Sequence, residues 1–287
     1  MSLATIDLTR SGAGVLSGHL RMGGANPDGV EIQANSRYLV KGGRPWLPVM
    51  GEIHYTRCPP ADWRAGLLKM KAGGVQVAAT YVFWIHHEEI EGQFDWSGQR
   101  NLREFIRTCA ACGLLAYPRI GPWAHGECRN GGFPDWLLER CGSRVRQDDP
   151  KYLGYVHTLY TEIAHQLDGL LWKDGGPVIG IQLENELLNN AVHLLTLKRM
   201  AREAGLDVPL YTQTGWGPAE ITTDEIIPVF GGYPDAFWER HVDDWARSSR
   251  LQYFFSPVRD ENAIGTDILH PVATRDPARA AQLVRYP

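Results

Sequence analysis

No apolar run in this chain approaches the ~18 residues a membrane-spanning helix needs, so no bilayer span is predicted. No Gly-x-Gly-x-x-Gly follows the first strand pattern and no Gly-x-x-x-x-Gly-Lys-Ser/Thr occurs, which leaves a nucleotide-binding doubly wound sheet unsupported. Basic residues are not in excess: 29 Lys and Arg against 33 Asp and Glu give a net charge of -4, with no basic face for nucleic acid and no polybasic membrane anchor. The opening "MSLATIDLTR" has no basic segment followed by an apolar one, so a cytoplasmic location is expected. Cysteines number only five, an odd set too sparse for a disulfide scaffold. Cys109 and Cys112 form a Cys-x-x-Cys, but "FIRTCAACGLL" reads as a helix end closing at Gly113, whereas a redox pair belongs at a helix start. Metal-type partner spacing is also missing, so neither metal nor cofactor is expected.

What is present is an ordinary globular balance, 44% hydrophobic and 22% charged, with an unusual ten tryptophans. Trp63, Trp84, Trp96, Trp123, Trp136, Trp216 and Trp238 mostly lie beside turn residues. Such rings stack on sugar faces and also fill cores, and count alone favours the core. Residues 1–28 are Gly-rich with weak periodicity and read as an arm; 29–287 read as one unit. "VEIQANSRYLVKGGRPWLPVMGEIHY" reads as strands separated by turns, the start of a β-hairpin. Strands "VQVAATYVFW", "LLAYPRIGPW", "PVIGIQLENE", "VPLYTQTGW" and "IIPVFGG" then alternate with helices, of which "AFWERHVDDWARSSRLQYFF" is the last. Continuously apolar strands alternating with helices imply a parallel sheet covered by helices. Polar and aromatic residues gather at the strand ends, as they do in a (β/α)8 TIM-type barrel. About six of the eight βα units are legible, so the predicted α/β barrel is incomplete, with a short N-terminal hairpin or arm.

The stretch "GGPVIGIQLENELL" drives an apolar run into Glu184-Asn185-Glu186. Strand alternation predicts that Glu184 and Glu186 point into the barrel and Asn185 away from it. Glu186, last on the strand, is placed to act as a partly buried carboxylic acid that donates a proton. Glu184, one layer deeper, is expected to be neutralised by Arg119 or His54.

"GGPVIGIQLENE" resembles the signature of glycoside hydrolase family 35, the β-galactosidases. So do "GEIHYTRCPPADWRAGLLKMKAGGVQVAATYVFWIHHEEIEGQFDWSGQRNLREFI" and "GLLAYPRIGPWAHGECRNGGFPDWLL", in order, over roughly residues 35 to 240. The resemblance implies a (β/α)8 barrel that removes terminal β-D-galactosyl residues with retention and without metal or cofactor. It also implies that Glu186 is the acid/base, that Asn185 binds the 2-hydroxyl of the sugar, and that Tyr81 and Glu127 contact the sugar. A role for Asn185 requires the strand to twist or end there. His125 and Gly126 stand where the family often has Cys or Asn, then Ala, so this part of the substrate pocket departs from the usual pattern.

A retaining mechanism needs a second carboxylate about 5–5.5 Å from the first. In the family it comes from the seventh strand, which this sequence does not display. Asp260, Glu261 and Asp267 lie in a Pro- and Gly-punctuated loop and read as solvated charges. A non-catalytic galactoside-binding barrel therefore stays open, as does an inverting pair of Glu186 and Glu127 at roughly 6.5–9.5 Å. An open barrel would expose strand edges, so an oligomer or a further segment is expected to cover them.

Overall fold

The computed structural model describes residues 24–35, 38–187, 190–213 and 225–229. It begins with an antiparallel three-stranded sheet, β1 (Ile32–Ala34), β2 (Leu39–Lys41) and β3 (Arg44–Trp46). Gly42 and Gly43, with φ of 55° and 74°, make the two-residue β2–β3 turn, where both central positions need the left-handed region.

The remaining elements follow in chain order. They are β4 (Met50–Glu52), α1 (Pro60–Ala72), β5 (Val77–Tyr81), α2 (Trp84–His87), α3 (Leu102–Ala111), β6 (Leu115–Arg119), α4 (Asp135–Cys141) and α5 (Pro150–Leu167). After these come β7 (Ile181–Asn185), α6 (Ala191–Glu203), β8 (Leu210–Gln213) and β9 (Ile227–Val229). Strands β4 to β9 form one parallel sheet in sequence order, each pairing with the next, which is the barrel's strand order.

Local chemistry sets the helix starts. Pro60 opens α1; Pro150 opens α5, where the Asp149 carboxylate accepts from the N–H groups of Lys151 and Tyr152, both at 3.1 Å. Asn101 caps α3 through the Glu104 N–H at 2.9 Å, and Asn190 caps α6 through the His193 N–H at 3.2 Å. Every residue of β5 and β7 is buried, because helices cover one face and the barrel interior lies on the other. Ala78 and Val82 pack outward with Trp63, Leu67, Phe105 and Ile106 of α1 and α3. Val77 and Ala79 point inward with Tyr117, Ile179 and Ile32 of the N-terminal sheet. The interior holds a cleft of roughly 400 Å³ running from Trp46 and Leu39 to Glu52, Arg119 and Gln182. Its open side is flanked by β4, an outer strand of the described sheet, where Leu47, Val49 and Met50 are exposed.

Several expectations are revised. The strand expected over "VQVAATYVFW" ends at Tyr81, and Trp84 begins α2, fully buried. The strand expected from Pro177 begins at Ile181, with Val178 making only isolated bridges to Ala116 and Leu171. Helix α4, between strands three and four of the barrel, was not anticipated. Helix α3 ends as read, with Cys112 as its cap and Gly113 at a φ of 70°. Cys109 and Cys112 are buried free thiols, and burial pushes Cys109 up to about 12. Most of the arm, the helix expected over residues 236–255, Trp216, Trp238, Asp260, Glu261 and Asp267 lie outside the described residues.

Candidate active site

The predicted site residues come from the C-terminal ends of β5, β6 and β7 and from the loop after β6. Strand alternation fails at the decisive place. The four residues Gln182 to Asn185 of β7 lie opposite three of β8, Tyr211 to Gln213, so β7 carries a bulge. Glu184 takes up the extra residue in the left-handed region, with a φ of 55°. The consequence is the reverse of the expectation: Glu184 turns away from the mouth and Asn185 turns into it.

Glu184 has a side-chain exposure of 0%, and its partner is neither Arg119 nor His54 but Arg146, from the loop between α4 and α5. Arg146 donates through Nη2 at 2.7 Å and Nε at 3.1 Å to one carboxylate oxygen, Oε2, and through Nη2 to the carbonyl of Asn185 at 2.8 Å. Burial pushes the Glu184 carboxyl above its ordinary range, and the Arg146 guanidinium opposes that shift. Oε1 receives no hydrogen bond among the described residues. No spacing rule marks Arg146, one of two arginines in the loop between α4 and α5.

Asn185 enters a cluster built on Arg119. Its Oδ1 accepts from Arg119 Nη2 at 2.7 Å, Gln182 Nε2 at 3.0 Å and the Tyr81 hydroxyl at 3.1 Å. A guanidinium only donates, so the amide oxygen must face it and the amide nitrogen faces elsewhere. Arg119 also donates to Gln182 Oε1 at 3.0 Å, pairs with Glu52, and lies 3.8 Å over the Tyr81 ring. His54 stacks on the Tyr81 ring at 5.3 Å and contacts Glu52 at 3.3 Å. Burial lowers the His54 pKa and the Glu52 charge raises it.

Burial pushes the Tyr81 hydroxyl well above its ordinary range; Arg119 opposes this, and the charges of Glu52, Glu186 and Glu127 add to it. Glu186 is partly exposed, and its Oε2 lies 3.6 Å from His125 Nε2. Gly126, at a φ of 55°, leaves no room for a Cβ, which would lie 2.7 Å from the Phe83 ring, and its carbonyl accepts from Arg57 at 2.7 Å. Among the candidate platforms, Trp136 is buried and donates to the Glu88 carbonyl at 2.8 Å, so it belongs to the core. Trp123 is half-buried beside His125.

All six non-glycine residues with positive φ among the described residues, His125, Glu127, Asn130, Arg146, Glu184 and Glu186, lie on the segments forming this mouth. Left-handed backbone costs a residue with a Cβ about 1–3 kcal/mol and persists only where surrounding contacts enforce it. The strain is concentrated where the carboxylates are.

A parallel sheet wound in barrel order, with a cross-linked polar mouth at the C-terminal ends of its strands, defines an incomplete TIM-type α/β barrel. The sequence model of Glycosyl hydrolases family 35 matches residues 38–238, and the chain belongs to that family. It is 37% identical over 194 residues to a beta-galactosidase of Xanthomonas manihotis, covering 66% of this chain and 32% of the relative. It is likewise 37% identical over 190 residues to the beta-galactosidases of Bos taurus and Homo sapiens, covering 64% of this chain and 29% and 28% of those proteins. The chain thus spans about a third of the length of the curated relatives it matches. Among solved structures, an endo-1,4-beta-mannanase from Rhizomucor miehei superposes with a TM-score of 0.55 at 10% identity, over 76% of this chain and 75% of that one. An exo-beta-1,4-mannosidase from Opitutaceae bacterium strain TAV5 gives 0.52 at 17% identity, over 75% and 40%. At such identities these structures establish the barrel fold alone.

Proposed function

We propose that this chain carries the acid/base side of a retaining β-galactosidase site, with β-galactosides as substrates. Glu186 protonates the glycosidic oxygen as the bond to the anomeric carbon breaks. Asn185, its amide oxygen held by Arg119, offers its N–H donors to the 2-hydroxyl of the sugar. Glu127 and Tyr81 meet other hydroxyls of the same ring. The attacking carboxylate comes from a strand C-terminal to Val229 and stands about 5–5.5 Å from Glu186, as retention requires. The observation that carries this reading is the bulge in β7, which presents Asn185 and Glu186 together at the mouth.

The test compares the 287-residue chain with a version extended by further barrel units, on an aryl β-galactoside. The extended version should turn over and the shorter chain should show little turnover, since removing one member of a concerted pair costs nearly as much as removing both. In the extended version, Glu186→Gln should impair substrates with poor leaving groups far more than activated ones. Equal losses on both classes refute the assignment of Glu186. Binding of galactose without turnover by any version would establish a non-catalytic galactoside-binding barrel instead.

A further inference from the structure

Between the acid Glu186 and the buried pair of Glu184 and Arg146 runs a set of contacts that catalysis by proton donation does not itself require. The indole N–H of Trp123 donates to Nδ1 of His125 at 2.6 Å. An indole nitrogen can only donate, so Nδ1 must be the bare, accepting nitrogen of the imidazole. The ring proton is then on Nε2, the atom that faces Glu186 Oε2 at 3.6 Å. A hydrogen on Nδ1 would face a second donor.

Trp123 is itself held. The Arg146 guanidinium stacks 4.7 Å over its ring, and Phe133 meets it edge-on at 5.3 Å. Gly131, at a φ of 61°, lies so close that a Cβ would come within 2.4 Å of the indole. The carbonyl of Gly131 also accepts from the N–H groups of Ala124 and His125, at 2.8 and 3.2 Å. His125 sits at a φ of 62° with its ring about half exposed, so little else on its own side chain fixes its direction.

We infer that Trp123 and His125 are positioning residues for Glu186. The indole locks the imidazole as its Nε2–H tautomer and aims that N–H at one carboxylate oxygen, so that the other oxygen carries the proton delivered to the leaving group. His125 orients Glu186 and transfers nothing to the substrate. The distance of 3.6 Å is beyond a formed hydrogen bond and closes with a sub-ångström movement, as catalytic contacts commonly do when substrate arrives. The inference rests on the reading of Glu186 as the acid.

The 287-residue chain, labelled with ¹⁵N at histidine, tests it without turnover. Long-range ¹H–¹⁵N spectra should show His125 as the Nε2–H tautomer, and Trp123→Phe, which keeps a ring but removes the donor, should shift it to a mixture. An Nδ1–H tautomer in the unmodified chain, or a tautomer that Trp123→Phe leaves unmoved, overturns the inference. Calorimetry with a galactose-configured iminosugar provides the second readout. Affinity should fall about tenfold in His125→Ala, the scale of one hydrogen bond to a charged group. His125→Gln, whose amide N–H reaches the same place, should restore it. Binding that His125→Ala leaves unchanged also overturns the inference. No binding by the unmodified chain would instead count against the galactosidase reading, and the tautomer would still decide the role of Trp123. If Trp123→Phe loses its circular dichroism, the exposed His125 variants and the native tautomer carry the decision.

Discussion

Replacing Arg146 with methionine removes the one charge that, among the described residues, faces the fully buried Glu184 carboxylate. The attraction across 2.7 Å is about 6 kcal/mol at an effective dielectric near 20, and most of it offsets the cost of burying both ions. Removing one partner exposes that cost, which in buried pairs amounts to about 3–5 kcal/mol. Protonation sets a ceiling on the electrostatic part. Neutralising a group of ordinary pKa 4.5 at pH 7 takes 7 − 4.5 = 2.5 pH units, or about 3.4 kcal/mol. At pH 5 the same operation takes 0.5 units, about 0.7 kcal/mol.

The sign follows from proton uptake. The folded pKa of Glu184 lies above the unfolded value, so between the two the folded state holds more protons and stability falls as pH rises. Without Arg146 the folded pKa rises further, and that window widens. Urea unfolding of Arg146→Met should therefore show a loss of about 3 kcal/mol at pH 7 that shrinks to about 1 kcal/mol near pH 5. Glu184→Gln should cost less at pH 7, since the guanidinium it orphans is 22% exposed and partly solvated. A loss for Arg146→Met that is equal at both pH values, or a larger loss for Glu184→Gln, refutes the reasoning.

Other outcomes follow from the same geometry. His87 is buried, accepts from the Tyr55 hydroxyl at 2.6 Å, and burial holds its pKa at about 3, so the unfolded chain takes up a proton below pH 6.5 that the folded chain refuses. Stability should fall as pH drops from 6.5 towards 3, by up to about 1.4 kcal/mol per unit, and His87→Gln should flatten that limb in acid titrations of unfolding. Gly126→Ala should lower stability by about 1–3 kcal/mol in urea titrations, from its left-handed backbone and the collision with Phe83. Arg119→Lys should leave the thermal transition within a few degrees while weakening iminosugar binding about tenfold, because an ammonium cannot hold Glu52, Gln182 and Asn185 together.

The amino-acid pattern alone determined that a parallel sheet would be covered by helices. Apolar strands alternating with helices capped by Asn101 and Asp149 leave few other ways to bury both faces. It also put Tyr81, Arg119 and Asn185 at strand ends, and the strand order brings such ends to one rim. The motif around Glu186 was legible for the same reason: its residues are contiguous. Alternation could not reveal which way those residues point. A bulge is decided by the register against a neighbouring strand, and β7 meets β8 only through the folded sheet. The partner of Glu184 was hidden likewise, since Arg146 is 38 positions away and arrives through a loop with no periodicity to read. Tertiary structure alone turned Glu184 away from the mouth and Asn185 into it, because the cost of a buried carboxylate is settled by whichever cation the fold can bring beside it.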